Sequence, residues 1–240
     1  MRIGTSGWIY PSWRGPFYPL DLRLKDRLAY YAAQFDTAEI NATFYRLPTQ
    51  AAVAAWRETA PDGFVFAWKA SRFITQAKKL LDAEAPLARV YAPMLALGEK
   101  LGPALFQLPP QLRLNLPRLA SFLPLLPSDR RHVVEFRHPS WYVEPVFDLL
   151  QRHQVALCIS DHCDAPAPWR LTAGFAYVRG HGPGGHYQGS YTDVELRTWA
   201  RRIEEWRSEG HDVYAYFDND IGCAAPGDAL RLRNLAARSG

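Results

Sequence analysis

The stretch that decides the fold is Val133-Val134-Glu135-Phe136-Arg137-His138-Pro139-Ser140-Trp141. It begins as a buried strand, yet the alternation of side chains along a strand places Glu135 and Arg137 on the same face. His138-Pro139 ends the strand, because proline lacks the amide donor that a ladder needs. An unpaired buried charge costs on the order of several kcal/mol, so partners, water or a ligand must receive these two side chains. A solvated edge strand and a structural ion pair are the alternatives to a functional site.

The composition is that of a globular protein. The 240 residues are 48% hydrophobic, 22% charged and 13% aromatic, which is enough apolar material for a full core. Prolines interrupt the most leucine-rich region, so no apolar run reaches the roughly 18 residues of a membrane-spanning helix. Strand-like sequence begins at Arg2, so we expect no targeting peptide and a cytoplasmic location. The cysteines Cys158, Cys163 and Cys223 lack paired spacing, and we expect them to be small buried apolar residues.

The charge pattern gives little support to nucleic acid as a partner. The formal net charge is only +4, and the arginines of the helix predicted at 192–209 are interleaved with glutamates, as is typical of a solvated helix face. Thr192-x-x-Glu195 is a capping box that begins this helix.

Eight strand-like segments alternate with mostly helical ones. Strands are predicted at 2–5, 37–43, 64–69, 104–108, 133–137, 156–161, 175–181 and 213–217. Helices are predicted at 24–35, 49–59, 76–100 in two pieces divided at Pro86, 115–126, 140–153, 192–209 and 226–238. The proline-rich segment 163–172 is expected to be irregular and to replace or shorten the helix after strand six. This order predicts an α/β protein, a single (β/α)8 TIM-type barrel in which residues 1–240 form one domain. A doubly wound sheet is the alternative, but no dinucleotide or Walker motif accompanies it.

Polar side chains gather where the predicted strands end, whereas the first halves of the same strands are apolar. In a TIM barrel the carboxyl ends of the strands form the active-site face, so we expect these side chains to meet in a pocket. We call the set the polar ring; it consists of Ser6, Glu39, Asn41, Lys69, Gln107, Glu135, Arg137, Asp161, Arg179, His181, Asp218 and Asn219.

The polar ring predicts acid–base chemistry on a substrate held by cations and amides. Glu39 and Glu135 are the predicted acid and base, with Lys69 and His181 as further catalytic candidates. The predicted substrate-binding residues are Ser6, Trp8, Asn41, Tyr45, Gln107, Arg137, Trp141, Asp161, Arg179, Asp218 and Asn219. Alternatively, the cations neutralise the carboxylates in a fixed network. A Schiff base at Lys69 is less favoured, because neighbouring carboxylates would keep its amine charged.

Two loop features add to the predicted site. The glycine-rich loop after strand seven is placed where barrels often bind phosphate, and it could also form a lid that carries His186, Tyr187 and Tyr191. Several aromatic residues follow strand ends and could form a wall against a sugar or a base. They are Trp8, Trp13, Phe44, Tyr45, Trp141 and Tyr142.

The motifs of the chain resemble those of a known family. They are Gly4-Thr5-Ser6-Gly7-Trp8, Glu39-Ile40-Asn41-Ala42-Thr43-Phe44-Tyr45, Lys69-Ala70-Ser71, Phe106-Gln107-Leu108-Pro109-Pro110, Glu135-Phe136-Arg137-His138 with Trp141, Arg179-Gly180-His181-Gly182, and the segments 187–191 and 217–220. Together they resemble the domain-of-unknown-function 72 family (YecE-like) over essentially the whole chain. The resemblance implies a TIM-type barrel with a site at its C-terminal face and implies no reaction. Gln76 stands where relatives often carry histidine, and Asp218 stands where many carry asparagine.

Three functions remain open at this point. The leading hypothesis is an enzyme, a hydrolase, that acts on an anionic or sugar-containing substrate and requires no cofactor. The second is a metal-dependent phosphoesterase, nuclease or isomerase of the endonuclease-four or xylose-isomerase type, which would use a divalent metal. Its ligands would come from Glu39, Glu135, Asp161, His181 and Asp218, but nearby cations oppose a divalent ion and no histidine-rich set is present. The third is a non-catalytic binding or scaffold protein.

Overall fold

Eight parallel strands form an almost closed barrel in the computed structural model, which describes residues 1–237. Around the barrel the strands follow the order β1-β8-β7-β6-β5-β4-β3-β2. They are β1 (Arg2–Thr5), β2 (Thr37–Ile40), β3 (Val65–Lys69), β4 (Leu101–Gln107), β5 (His132–Glu135), β6 (Ala156–Ser160), β7 (Phe175–Gly180) and β8 (Asp212–Phe217). The predicted (β/α)8 barrel is confirmed.

Seven α-helices surround the strands in the described part of the chain. They are α1 (Arg27–Ala32), α2 (Gln50–Thr59), α3 (Glu84–Met94), α4 (Leu116–Phe122), α5 (Glu144–Arg152), α6 (Asp193–Ser208) and α7 (Ala224–Ala237). The capping box at Thr192 and Glu195 begins α6, as predicted. No α-helix lies between β6 and β7, which confirms that the proline-rich segment is irregular. None of the helices within residues 1–237 is both long and apolar enough to cross a membrane.

The side chains of the strands alternate between two apolar layers. One layer packs between the strands and the helices. The other fills the barrel interior and is made of Ala67, Leu105, Val133, Ala156, Cys158, Phe175, Tyr177, Tyr214 and Tyr216. The next inward positions along β3, β5 and β7 are Lys69, Glu135 and Arg179. The polar ring therefore rests on a closely packed apolar floor.

The barrel closes differently between β1 and β2, a line of contact that we call the β1–β2 seam. The strands share only the bridge between Ser6 and Glu39. The Tyr31 hydroxyl lies between them, where it accepts a hydrogen bond from the Thr5 amide at 2.9 Å and donates one to the Thr37 carbonyl at 3.0 Å. The Tyr31 hydroxyl group thus replaces some of the backbone hydrogen bonds that would otherwise join β1 to β2.

The predicted division of the long helix at Pro86 is wrong. A π-helical turn spans Phe73–Ala77, and α3 begins only at Glu84. Left-handed backbone at Lys79, Leu80 and Asp82, with φ values of 49°, 72° and 46°, prevents helix between them. Pro86 lies in the first turn of α3, where its missing amide donor costs nothing.

Other element boundaries also differ from the predictions. β2 ends at Ile40, three residues early, because the next residues form a 3-10 turn in which the Thr43 hydroxyl donates to the Ile40 carbonyl at 2.9 Å. The helix after β5 begins at Glu144, after a separate 3-10 turn that starts at the helix-breaking Pro139. α7 reaches Ala237, and its predicted last residue lies outside the described residues.

The prediction for the cysteines holds only in part. Cys158 is buried, Cys223 is half-buried and Cys163 is exposed. Cys163 belongs to the irregular segment after β6, where no helix covers it.

Candidate functional site

A pocket opens at the C-terminal end of the barrel, and we call it the Lys69 pocket. Its volume is about 420 Å³. Its walls are Tyr10, Asn41, Phe44, Tyr45, Lys69, Gln76, Gln107, Leu108, Pro110, Tyr187, Asp218 and Asp220. Four members of the polar ring, together with the predicted Tyr45, therefore reach one cavity at the predicted face.

Beneath this pocket, Arg179 is completely buried and binds three carboxylates. Its Nη2 donates to Glu39 Oε1 at 2.9 Å and to Asp218 Oδ2 at 2.8 Å, and its Nη1 donates to Glu135 Oε2 at 3.0 Å. Burial lowers the pKa of Arg179, but the three carboxylates outweigh burial and raise it well above its usual range. Arg179 is thus a permanent cation at the centre of the site.

Glu39 has little capacity left for a ligand. The Ser6 hydroxyl donates to one of its oxygens at 2.5 Å, and the Tyr177 hydroxyl donates to the other at 2.6 Å. Together with Arg179, these donors engage both oxygens of a side chain that is fully buried. Glu39 does not line the Lys69 pocket, so its contacts favour a role in holding Arg179 in place.

Glu135 joins the two arginines. Its Oε1 lies 2.6 Å from Arg137 Nη2, and its other oxygen accepts from Arg179. Burial raises the pKa of Glu135, but Arg137 and then Arg179 overcome that effect and hold it well below its usual range. A carboxylate this acidic carries no proton at neutral pH, so it is better suited to placing charge than to donating a proton.

His181 lies between the arginines and Asp161. Its Nε2 is 3.0 Å from Arg137 Nη2 and 3.1 Å from Arg179 Nη1, while its Nδ1 is 3.2 Å from Asp161 Oδ1. Guanidinium groups only donate, so Nε2 must accept, and the proton sits on Nδ1 facing the carboxylate. Tyr191 donates to the second oxygen of Asp161. These contacts fix the tautomer and the orientation of the ring.

Lys69 differs from the two arginines because its Nζ has no ion pair or hydrogen bond within residues 1–237. The nitrogen lies 4.3 Å from the centre of the Phe44 ring. Burial and then Arg179 lower the pKa of Lys69 to about 8, although the nearby carboxylates act in the opposite direction. The three carboxylates, which are bound to Arg179, therefore offset only part of the effect of burial on the pKa of Lys69.

Asp220 is a wall residue of the Lys69 pocket that the sequence interpretation missed. Burial and then the charge of Asp218 raise the pKa of Asp220 to about 6. It is two residues beyond Asp218, in the Asp-Asn-Asp run that follows β8, and this run was the available signal. Tyr10, Gln76 and Tyr187 also line the Lys69 pocket, although no substrate contact is predicted for them from the sequence. Their loops turn back over the strand ends, which alternation along a strand does not predict.

Several predicted residues do not reach the Lys69 pocket. Asn219 is fully buried and donates to the Gly189 carbonyl at 2.7 Å and to Asp228 at 2.8 Å. Trp141 is fully buried, stacks on Phe136 at 4.7 Å and donates to a backbone carbonyl. Ser6, Arg137 and Arg179 support the pocket from below without lining it.

A smaller apolar cleft adjoins the Lys69 pocket. Its volume is about 230 Å³, and it shares Tyr10, Asn41 and Tyr45 with the larger cavity. Trp8 lines this cleft together with Trp56. Of the predicted aromatic wall, Phe44 and Tyr45 face the Lys69 pocket, Trp8 faces the cleft, and Trp13, Trp141 and Tyr142 line neither.

The carboxylates of the polar ring are poorly placed for a divalent metal. Glu39, Glu135 and Asp218 are each bound to Arg179, whose charge opposes a cation at the same point. Within residues 1–237, three potential ligand atoms come within 4.8 Å of one another at His162, Cys163 and Asp164, where two of the three side chains are exposed. This geometry gives no support to the metal-dependent alternative.

Comparisons with known proteins identify relatives over the whole chain. Residues 2–240 match the model of the family described as protein of unknown function DUF72. The UPF0759 protein YecE of Escherichia coli K12 is 31% identical over 146 residues, covering 60% of this chain and 51% of YecE, so the match spans about half the length of that relative. The UPF0759 protein YunF of Bacillus subtilis is 25% identical over an alignment of 268 residues, covering 98% of this chain and 94% of YunF.

Solved structures of two DUF72 family proteins share the barrel. One from Thermotoga maritima has a TM-score of 0.87 at 25% identity, with 98% of each chain covered. One from Enterococcus faecalis has a TM-score of 0.82 at 19% identity, with 98% of this chain and 95% of the other covered, and this likeness shows the fold alone. The whole-chain family match, together with the motifs at the strand ends, shows that this barrel protein belongs to the DUF72 family.

Proposed function

We propose that this protein is an enzyme that binds a small anionic or sugar-containing molecule in the Lys69 pocket and performs acid–base chemistry on it. One observation carries the proposal: the amine of Lys69 faces a cavity of about 420 Å³ without an ion-pair or hydrogen-bond partner in the described chain. A buried charge that lacks a partner is costly, and a substrate would supply the missing one.

The walls of the Lys69 pocket suit a molecule that carries hydroxyl groups and one anionic group. Lys69 offers a cation, and the side-chain amides of Asn41 and Gln107 offer both donors and acceptors. Asp218 and Asp220 accept hydrogen bonds from hydroxyls, and they would repel a polyanion. Such mixed chemistry fits a sugar or a sugar acid better than it fits a nucleic acid.

Lys69 and Asp220 are the residues to which we assign proton transfer. Asp220, with a pKa of about 6, is a base above that pH, and Lys69, with a pKa of about 8, is an acid below that pH. Both groups are in the required state between these values, which predicts a bell-shaped rate profile with its maximum near pH 7. Hydrolysis, which the sequence predicts through Glu39 and Glu135, is the first reaction to test; we assign those two residues to positioning.

The test combines binding with turnover. Purified protein is screened by thermal shift against sugars, sugar phosphates and sugar acids, and ligands that bind are followed for hydrolysis between pH 5 and 9. Lys69→Met and Asp220→Asn should each reduce turnover by at least ~100-fold, as expected for the loss of an acid or a base. Lys78→Met removes an exposed lysine and should change neither measurement.

Two results would contradict the proposal. The first is full turnover or unchanged ligand affinity in Lys69→Met. The second is a screen in which no anion or sugar stabilises the wild-type protein, which would favour the scaffold alternative. Loss of turnover in Glu135→Gln alone, with Lys69→Met fully active, would instead restore the acid–base assignment that the sequence predicts.

A further inference from the structure

We propose that Lys69 forms a covalent imine with a carbonyl group of the substrate, so that the pocket accepts an aldehyde or ketone with hydroxyl or anionic groups, such as an open-chain sugar or a 2-oxo acid. This inference rests on the proposed function, because it uses the same pocket and the same two residues, and it adds the identity of the reacting group. Here Lys69 is the nucleophile, and Asp220 acts first as the acid and then as the base. Imine formation needs a neutral amine, room for a carbonyl carbon, and a group that donates a proton to the departing oxygen.

Two lysines are buried in the described part of the chain, and they differ in their contacts. Lys69 and Lys100 are 6% and 5% exposed. The Nζ of Lys100 donates to the carbonyls of Arg57 and Ala60, both at 2.7 Å, which gives this side chain a structural role. Lys69 has no such acceptor and lines a cavity, so its nitrogen can turn toward a ligand. Similar burial therefore serves different purposes at the two positions.

Four charged side chains act on the Lys69 amine. They are Glu39 on β2, Glu135 on β5, Arg179 on β7 and Asp218 after β8. The carboxylates are bound to Arg179, and burial together with that guanidinium lowers the pKa of Lys69 to about 8. At pH 7.5 roughly a quarter of such amines are neutral, against roughly 0.1% of ordinary lysines.

The Lys69 pocket also holds a proton donor, Asp220, and a surface that would stabilise the imine product, the Phe44 ring. The Nζ lone pair attacks the carbonyl carbon, the π electrons move to oxygen, and a proton passes from nitrogen to that oxygen to give a carbinolamine. Protonated Asp220 then gives its proton to the hydroxyl, which leaves as water while the nitrogen lone pair forms the C=N bond. The iminium keeps the single positive charge of the ammonium, and the Phe44 ring at 4.3 Å faces it.

The iminium would let the enzyme perform chemistry at the neighbouring carbon. It withdraws electrons from the carbon next to the former carbonyl, so the carboxylate of Asp220 can remove a proton there to give a neutral enamine. The Asp220 carboxyl group then returns the proton to that carbon and restores the iminium. Water returns by the reverse path, releases the product and regenerates the amine. No oxidant, reductant or second substrate is needed.

The experiment traps the imine by reduction. Wild-type protein at pH 7.5 is incubated separately with glyoxylate, pyruvate, glyceraldehyde 3-phosphate and dihydroxyacetone phosphate, and sodium borohydride then adds hydride to any imine to give a stable secondary amine. Peptide mass spectrometry compares Lys69 with Lys25, Lys78, Lys79 and Lys100. We expect at least one probe to label Lys69 roughly 250-fold more than any other lysine, as the ratio of the neutral-amine fractions predicts.

Lys69→Arg keeps a cation in the pocket and cannot form an imine, so it should lose the adduct. Equal labelling of all lysines, or no adduct at Lys69 with any of the four probes, would overturn the inference. Thermal-shift binding of sugars or acids that Lys69→Met abolishes, without a reducible adduct, would overturn the imine and leave the proposed function standing. An adduct confined to Lys69 without any turnover would support the imine and count against the proposed function.

Discussion

Replacing Lys69 with methionine should make the protein more stable at neutral pH. Methionine matches the length of the lysine stem and can pack against Phe44 without a charge to desolvate. The pKa of Lys69 is about 8, against an ordinary value of 10.5. This difference lowers the free energy of unfolding by about 3 kcal/mol at any pH where Lys69 is protonated in both the folded protein and the unfolded chain.

The stability difference between Lys69→Met and the wild type should decrease as pH rises. Below pH 8 the lysine is charged in both states, and its full cost weighs on the wild-type protein. As pH rises from 8 to 10.5, the folded protein releases the proton first, so the cost disappears. Lys69→Met should therefore exceed the wild type by about 3 kcal/mol at pH 7, or roughly 6–12 °C in Tm, and by much less at pH 10.

Urea denaturation at pH 7, 8.5 and 10 measures this difference directly. Lys78→Met, which removes an exposed lysine paired with Asp82, should stay within about 0.5 kcal/mol of the wild type. A Lys69→Met protein that is equally or less stable at pH 7 would refute the reasoning, because it would mean that the amine has a favourable partner in the folded protein. A gain that does not shrink with rising pH would show that packing, rather than charge, is the cause.

Three further substitutions probe the fold around the site. Arg179→Met should cost about 3–5 kcal/mol or more at pH 7, with the loss shrinking at lower pH as the released carboxylates protonate; a loss under about 1 kcal/mol in urea denaturation would contradict the charge network. Gly4→Ala should cost about 2 kcal/mol or more in the same assay, because the new methyl group would lie 2.3 Å from the Thr37 carbonyl oxygen; wild-type stability would contradict this. Burial lowers the pKa of His132, which pairs with Tyr91 at 2.6 Å, to about 4, so stability should fall as pH drops from 6.5 to 4. His132→Phe should reduce that fall by up to about 3 kcal/mol, and an unchanged pH slope would count against a neutral buried histidine.

The position of the polar ring could be predicted from the sequence because it depends only on the alternation of side chains along a strand and on the parallel order of the strands. Side chains on β3, β5 and β7 alternate, so Lys69, Glu135 and Arg179 had to share the inner surface of any barrel that buries their apolar neighbours. Parallel order then brings the carboxyl ends of the strands together. Neither feature requires any interatomic distance to be known, so the sequence was sufficient to predict where the polar ring lies.

The roles of the individual residues within the site could not be predicted in the same way. Arg179 selects Glu39, Glu135 and Asp218 across separations of 140, 44 and 39 residues, and only the closed barrel sets those distances. Whether Lys69 is charged depends on that selection. Loop residues such as Asp220 follow no period, so their direction is fixed by contacts that a strand pattern does not contain.

The β1–β2 seam is the part of the barrel where we expect the strands to separate most readily. Where other neighbouring strands are joined by ladders, a phenol and one bridge hold this line, and Glu39 belongs to both the seam and the cluster around Arg179. The Gly7 amide, which donates to the Glu39 carbonyl at 2.7 Å, would exchange its hydrogen with solvent when the seam opens. The opening that frees the Gly7 amide would also separate the Glu39 carboxylate from Arg179. The exchange rate of the Gly7 amide would therefore report how often this ion pair is broken. At the β1–β2 seam, local unfolding of the strands would also disrupt the cluster of carboxylates around Arg179.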